Sequence, residues 1–217
     1  MKKLIIFDLD GTLLDTIADL GTACNYALES KGFRQHPLSV YPYMVGNGVR
    51  KLMERAQPDA SPEEVEELLV TFRKYYDEHC TDFTKPYPGI TELLRELTDR
   101  EIKVAVATNK YESAAQRIIS HYFPDTPFVA VKGQVESRPV KPDPSVDFAV
   151  LLAHPTPKSA TMHVGDSAVD IETARRACIT SVGVTWGFRP LTELRKACAD
   201  HIVSSPADIL KLALKDD

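Results

Sequence analysis

The spacing of apolar and polar positions changes character twice along the chain. Leu4–Phe7 is an unbroken apolar run that stops at Asp8-Leu9-Asp10-Gly11, which predicts a strand buried on both faces and ending in a turn. From Thr16 the period lengthens. Ile17, Leu20, Ala23, Cys24, Ala27 and Leu28 fall at three- and four-residue spacings, predicting a helix capped by Asp15 or Thr16 and closed at Gly32. A stretch containing Pro37, Tyr41 and Pro42 leads through Val45-Gly46-Asn47-Gly48 into a short helix that includes Met53 and Ala56. Ser61-Pro62-Glu63-Glu64 joins a capping serine, a proline at the first helical position and acids in the first turn, so a helix is expected to about Cys80. Its Glu63–Glu67 acidic run reads as a solvated face, and no strand is predicted between Ser39 and Asp82.

Beyond Lys85-Pro86-Tyr87-Pro88-Gly89 the pattern alternates between the two periods. Helices are predicted over 90–99, 111–122, 143–153, 167–178 and 206–214, and short apolar strands over 102–107, 128–131, 161–164, 179–184 and 201–204. Helices of that length between such strands imply parallel β-α units with both sheet faces covered. The expected fold is therefore α/β, a Rossmann-like parallel sheet core built from 1–15 and 84–217. An all-helical insert over 16–83 interrupts it just after the first strand. There is no internal repeat and no low-complexity segment.

Composition narrows the function classes. The chain has 217 residues, of which 43% are hydrophobic and 26% charged, so disorder and collagen-like structure are excluded and a large core needs no staples. A net charge of −5, from 26 basic and 31 acidic residues, argues against nucleic acid or an anionic membrane as partner. The longest apolar run, Phe148–Ala153, is far short of the ~20 residues of a membrane span. MKKLIIFDLDG opens with two lysines like a secretory leader, but Asp8 ends its apolar stretch too early, and a cytoplasmic location is expected. Cys24, Cys80, Cys178 and Cys198 form no CxxC pair, the six histidines form no zinc pattern, and the thiols are read as reduced.

Carboxylates gather at the ends of two predicted strands, Asp8 and Asp10 after the first and Asp166 with Asp170 after 161–164. Ligands of open parallel sheets bind outside the carboxyl ends of strands. Asp-x-Asp-Gly also suits a plain turn, and Asp166 also suits a helix cap. Two charges ~4 Å apart repel by ~4 kcal/mol at an effective dielectric of ~20, so a cluster of such acids needs a proton or a cation. An all-oxygen set suits a hard divalent ion, Mg²⁺ first, which commonly shares a phosphate. Thr108-Asn109 ends a strand just before a helix, where hydroxyl, backbone N–H groups and helix dipole can receive an anion, or where the pair simply caps the helix. Lys141 lies between Val140 and Pro142-Asp143-Pro144, in a stiffened loop, as a site residue or as a solvated charge.

Taken together, FDLDGT (Phe7–Thr12), ATNK (Ala107–Lys110), VKPDP (Val140–Pro144) and HVGDSAVD (His163–Asp170) resemble, in order, the four motifs of the haloacid dehalogenase-like hydrolase superfamily. The insert resembles the small helical cap of its first subclass. Within the superfamily the chain is most similar to phosphoglycolate phosphatase-like enzymes, through VGNGVRKLMERA (Val45–Ala56), YPGI (Tyr87–Ile90) and GVTWGF (Gly183–Phe188). The resemblance implies a phosphatase acting on a small phosphorylated metabolite, as a monomer or homodimer. It implies Asp8 as the nucleophile forming an aspartyl-phosphate and Asp10 as general acid, then base. Asp8, the Asp10 carbonyl and Asp166 would bind Mg²⁺, with Asp170 acting through a water or a neighbour. Thr108 and the Asn109 amide would hold phosphoryl oxygens, and Lys141 would offset the charge of Asp8 and the phosphate.

Relatives with other chemistry remain to be weighed by residue. A dehalogenase needs no second acid at Asp10. A phosphonoacetaldehyde hydrolase places a Schiff-base lysine in its cap; Lys51 is available, but nothing around it recommends that role. A β-phosphoglucomutase-type mutase carries Gly-x-Ser-Arg where this chain has Gly46-Asn47-Gly48-Val49. Pyrophosphatase activity and a silent phosphate-binding module stay open. Substrate choice is expected from the cap, at Gly46, Asn47, Gly48 and Arg50, with Arg50 meeting a substrate carboxylate or else facing solvent. Hinges are expected at Leu14–Thr16 and Thr84–Pro88. His163 is read as a packed core residue. Trp186 and Phe188 are placed either at the site mouth or in packing, and Arg189 follows them without a direction.

Overall fold

The computed structural model describes residues 1–215. Six strands form one parallel sheet, β1 (Leu4–Phe7), β4 (Lys103–Tyr111), β5 (Ala130–Gln134), β6 (Thr161–Gly165), β7 (Thr180–Val184) and β8 (His201–Val203), in the order β5-β4-β1-β6-β7-β8. Leu4 to Phe7 pair with Lys103 to Val106 on one side and Thr161 to Val164 on the other. The first strand is thus central, and its run of four apolar residues has the reason anticipated for it. Ile5 and Phe7 join one apolar cluster, and Leu4 and Ile6 join the other, across the sheet. Helices α4 (Ile90–Asp99), α5 (Glu112–Tyr122) and α9 (Pro206–Leu214) cover the first face, and α6 (Ser145–Ala153) and α7 (Ala168–Ala177) the second. A further short helix, α8 (Leu191–Lys196), follows β7.

A second sheet of only two short strands, β2 (Leu14–Asp15) and β3 (Lys85–Pro86), pairs the two chain segments that enter and leave the helical insert. Periodicity cannot reveal strands of two residues, and the sequence pattern predicts none there. The exit segment is held further by Asp19, whose buried carboxylate accepts from the Phe83 and Thr84 N–H groups at 3.0 and 2.9 Å and from the Thr84 hydroxyl at 2.7 Å. Tyr122 of α5 donates its hydroxyl to the Thr84 carbonyl at 2.8 Å, tying the same segment to the core.

Between β2 and β3 the chain is helical: α1 (Ile17–Ser30), α2 (Val49–Ala56) and α3 (Pro62–His79), with a 3-10 turn at Leu38–Tyr43. Ser61 caps α3 as its sequence predicts, its hydroxyl accepting from the Glu64 N–H at 3.2 Å while Glu64 accepts from the Ser61 N–H at 2.7 Å. Val65, Leu68, Leu69, Phe72 and Tyr76 form its buried stripe, the aliphatic side chains and Phe72 each contributing ~1.5–3 kcal/mol of apolar burial. The apolar cluster of the first sheet face continues through Leu9, Leu13 and Leu14 into these helices. Among the described residues no helix is long and apolar enough to cross a membrane, and the four cysteines are unpaired.

Candidate active site

Three strands aim their carboxyl ends at one point. β1 delivers Asp8 and Asp10, β6 delivers Asp166, and the first turn of α7 returns Asp170. β4 runs four residues further than the sequence predicts, to Tyr111, with a register break between Ala107 and Tyr111. Thr108, Asn109 and Lys110 therefore sit on the strand end rather than in a loop leading to the helix. The break sets these polar residues apart from the continuous apolar run, Val104–Ala107, that marks the rest of β4. All three are buried. Close packing demands glycine at two places beside Asp166. Gly11 has a left-handed φ of +88°, and a Cβ on it would lie 2.5 Å from an Asp166 oxygen. A Cβ on Gly187 would lie 2.3 Å from the Asp166 side chain.

Carboxylate oxygens of Asp8, Asp166 and Asp170 all lie within 4.8 Å of one another, and all three residues are buried. Lys141, itself only 2% exposed, enters this group with its ammonium 2.6 Å from Asp170, 2.9 Å from Asp8 and 2.9 Å from the Ala107 carbonyl. Its burial works against its charge, but Asp170 and Asp8 outweigh that and raise it above the ordinary lysine value. Most of its effect goes to Asp170, which also accepts from the Ser167 hydroxyl at 2.6 Å and the Ser167 N–H at 3.1 Å. Burial would raise Asp170, yet Lys141 and His163 win and hold it below the usual carboxylate range. Asp8 is left under-compensated. Burial first, then Asp170 and Asp10, push it up to about 6 despite Lys141. Asp166 is held well above its usual value by burial, Asp170 and Asp8, with one oxygen taking the Phe188 N–H at 2.6 Å. Oxygen donors, strong mutual repulsion and a shared centre fit a divalent metal ion. Asp170, expected to act through a water or a neighbour, has a carboxylate oxygen in the same cluster as Asp8 and Asp166.

Asp10 points elsewhere. Lys110 bonds both of its oxygens, at 2.9 and 3.0 Å, and Thr16 donates its hydroxyl to one at 2.7 Å. The Lys110 ammonium also lies 4.7 Å above the Tyr76 ring of α3. The sequence shows Lys110 in a motif but gives it no task, because a pair separated by 100 residues leaves no local signal. Asn109 has its side chain committed to structure. It donates to the carbonyls of Gly46 at 2.9 Å and Lys141 at 3.1 Å and accepts from the Lys141 N–H at 2.7 Å, leaving its backbone for any anion. Thr108 lines the cavity, its hydroxyl accepting from the Lys110 N–H at 3.2 Å.

A cavity of about 50 Å³ separates these groups from the helical insert. Gly46 and Gly48 line it, as expected for close backbone approach, with φ of +106° and +83°. Asn47 and Arg50 do not. Asn47 accepts from Arg55 at 2.7 Å, and Arg50 is half exposed and paired with Glu66 of α3. Of the two readings of Arg50, its placement matches the solvent-facing one: it pairs with Glu66 of α3, and its neighbour Val49 lines the cavity. Phe188 lines the cavity, whereas Trp186 donates its indole N–H to the Thr12 carbonyl at 3.1 Å.

His163 is fully buried in β6, as its strand position predicts, but it is no neutral packing residue. Burial lowers its pKa, and Asp147 of α6, 3.0 Å from Nδ1, overrides this and lifts it to about 9. Its Nε2 lies 3.5 Å from Asp170.

These perturbed groups set the pH dependence of the metal-free fold. Asp8 binds its proton more tightly in the native state than in the unfolded chain. The stability it contributes is complete below about 4 and lost as pH rises through about 6. Raising a carboxyl that far above its ordinary value corresponds to roughly 3 kcal/mol. His163 adds stability below 6.5 that is lost as pH rises through about 9. Thermal melts in EDTA should therefore show a midpoint that falls from pH 4.5 to pH 9. A midpoint that rises across that range would contradict the electrostatic account.

The comparisons with known proteins span this whole constellation. A family model described as haloacid dehalogenase-like hydrolase matches residues 5–184. A protein of Aquifex aeolicus (strain VF5) named phosphoglycolate phosphatase is 33% identical over 211 residues, covering 97% of this chain and 96% of its own. A candidate pyrophosphatase of Caldanaerobacter subterraneus subsp. tengcongensis is 30% identical over 209 residues, covering 96% and 93%. The crystal structure of a candidate phosphoglycolate phosphatase from Lactobacillus delbrueckii subsp. bulgaricus superposes with a TM-score of 0.93 at 32% identity, covering 100% of both chains.

Proposed function

The chain belongs to the haloacid dehalogenase-like hydrolases, and on that premise we propose that it is a Mg²⁺-dependent phosphatase of small phosphate monoesters of the phosphoglycolate type, working through an aspartyl-phosphate. The single observation that carries this reading is the meeting of Asp8, Asp166 and Asp170 at the floor of one cavity, with Lys141 bound beneath them. Segments 1–15 and 84–217 act as the catalytic core, and 16–83 acts as the cap that closes over it.

Asp8 attacks the phosphorus as the nucleophile, and the leaving-group oxygen departs with a proton from Asp10. Water then gives a proton back to Asp10 and displaces Asp8 from phosphorus, releasing inorganic phosphate. Thr108 and the Asn109 backbone receive phosphoryl oxygens, and Lys141 balances Asp8 and the incoming phosphate. Asp8, the Asp10 carbonyl and Asp166 would hold Mg²⁺, with Asp170 beside them, and the bound ion supplies charge that neutralises the carboxylates and the phosphoryl group.

Phosphate release from phosphoglycolate, from other monoesters and from pyrophosphate, with Mg²⁺ and with excess EDTA, tests the proposal. Turnover of phosphoglycolate that EDTA removes and added Mg²⁺ restores is expected. Release from no monoester would reject it, and release from pyrophosphate alone would favour the second reading, which the Caldanaerobacter relative motivates. The acid role has its own signature. Asp10→Asn should lower kcat by ~100-fold or more for alkyl phosphates, within the range of general acid catalysis. p-Nitrophenolate needs little protonation, so its ester should lose less. Equal losses would make Asp10 a structural or metal-binding group.

A further inference from the structure

The side of the cavity formed by the cap carries no charge of its own. Leu20, Val49, Leu52, Phe72 and Tyr76 line it, together with the backbone of the Gly46–Gly48 loop. The basic side chains of α2 are engaged outside it: Arg50 on Glu66, Lys51 on Glu54, and Arg55 on the Met44 carbonyl and Asn47. A substrate anion beyond the phosphoryl group would meet no partner there. Among the described residues the cations that line the cavity are Lys110 and Arg189, both from the core. Lys110 is saturated by both oxygens of Asp10, and Lys141 beneath the floor is saturated by Asp8, Asp170 and the Ala107 carbonyl.

Arg189 differs. It stands in the loop after β7, one residue beyond Phe188, whose N–H is fixed on Asp166. Its side chain is only 15% exposed, yet no carboxylate among the described residues lies within hydrogen-bond distance of its guanidinium; the nearest, Glu193, is 3.9 Å from Nε. One hydrogen bond orients it. Nη2 donates to the Val45 carbonyl of the cap loop at 2.9 Å. The rest of a planar fork suited to carboxylates is left beside the cavity without a carboxylate hydrogen bond, held only by a long ion pair to Glu193.

We infer that Arg189, a core residue, binds the carboxylate of the substrate's leaving group, so that selectivity for an anionic monoester resides in the loop after β7 and the cap supplies only apolar walls that limit size. The inference rests on the proposed phosphoglycolate-type activity and names the group that would read the substrate's second charge. The Val45 contact adds a condition: the fork is aimed only while the cap loop lies over the core. A small cavity with apolar walls also disfavours polyhydroxylated leaving groups, whose hydroxyls would be left without partners.

The test compares phosphoglycolate with ethyl phosphate, which carries a methyl group where the former has its carboxylate. In the wild type kcat/KM should favour phosphoglycolate. Arg189→Met should reduce that preference by about 10–100-fold, the scale of a lost charge-assisted contact, mainly through KM for phosphoglycolate. Arg189→Lys, which keeps the charge without the fork, should fall between the two. A general loss of cap closure would lower both substrates alike and leave their ratio unchanged, and that result would overturn the inference. Preference retained in Arg189→Met would do the same, passing the role to Lys110 while leaving the phosphatase reading intact. Wild-type enzyme that hydrolyses ethyl phosphate and shows no preference for phosphoglycolate would overturn both the inference and the proposed substrate class, but not hydrolysis itself. If Arg189→Met does not fold, the intermediate ratio of Arg189→Lys decides, an unchanged ratio again counting against the inference.

Discussion

Asp8→Asn is expected to lower kcat by about 10⁴-fold or more on every monoester, because the carboxylate assigned as nucleophile is lost and the remaining acids of the cavity are engaged in other roles. The same change should leave the protein folded, and in EDTA at pH 7.5 it should be no less stable than the wild type. Asp8 is buried beside Asp170 and Asp10, and burial together with those neighbours pushes it up to about 6. Its ionised form at pH 7.5 is therefore a cost that the native state carries and the unfolded chain does not. Asparagine removes the charge while keeping an acceptor for Lys141, 2.9 Å away. Initial rates and thermal melts on the same preparation check both halves. A variant retaining a tenth of wild-type kcat would take the nucleophile away from Asp8. A midpoint several degrees below the wild type in EDTA would show that the carboxylate supports the fold.

How much of the site is legible in the sequence depends on how local each signal is. Asp8 and Asp10 stand out because an apolar strand stops at them, and parallel sheets place ligands at such ends. Thr108 and Asn109 fall at the correct strand, but the extension of β4 to Tyr111 is hidden, since a register break frees polar residues from the strand period. Pairs far apart in the chain leave no trace at all: Lys110 with Asp10, and Asp147 with His163. The two arginines show the limit best. Arg50 is favoured by its nearness to a glycine loop, yet one step along a helix turns a side chain by about 100°, and that step sends Val49 to the cavity and Arg50 to Glu66. Arg189 has no helical or strand period to orient it, and only the fold of the loop after β7 does so.

Lys141→Met should give the largest loss of stability of any single change near the site. The ammonium is one of the few cations buried with these acids, within 2.6 Å of Asp170 and 2.9 Å of Asp8. Methionine fills much of the same volume but leaves Asp8, Asp166 and Asp170 facing one another without it. Removing one partner from a buried ionic group costs about 3–5 kcal/mol, which for a chain of this size is roughly 6–20 °C in midpoint. The loss should depend on pH in a definite direction. At pH 5 Asp8 is mostly protonated even in the wild type, so less uncompensated charge remains and the deficit should shrink. At pH 8 in EDTA it should be largest, and saturating Mg²⁺ should recover part of it, because the ion would sit among the same carboxylates. Activity should fall by ~100-fold or more even with Mg²⁺, since the charge facing Asp8 and the phosphoryl group is gone. Melts at pH 5 and pH 8, each with EDTA and with Mg²⁺, separate the explanations. A deficit equal under all four conditions would assign Lys141 to packing of its alkyl chain. A deficit confined to the metal-free protein at high pH would identify it as the resident counter-charge of the acid cluster.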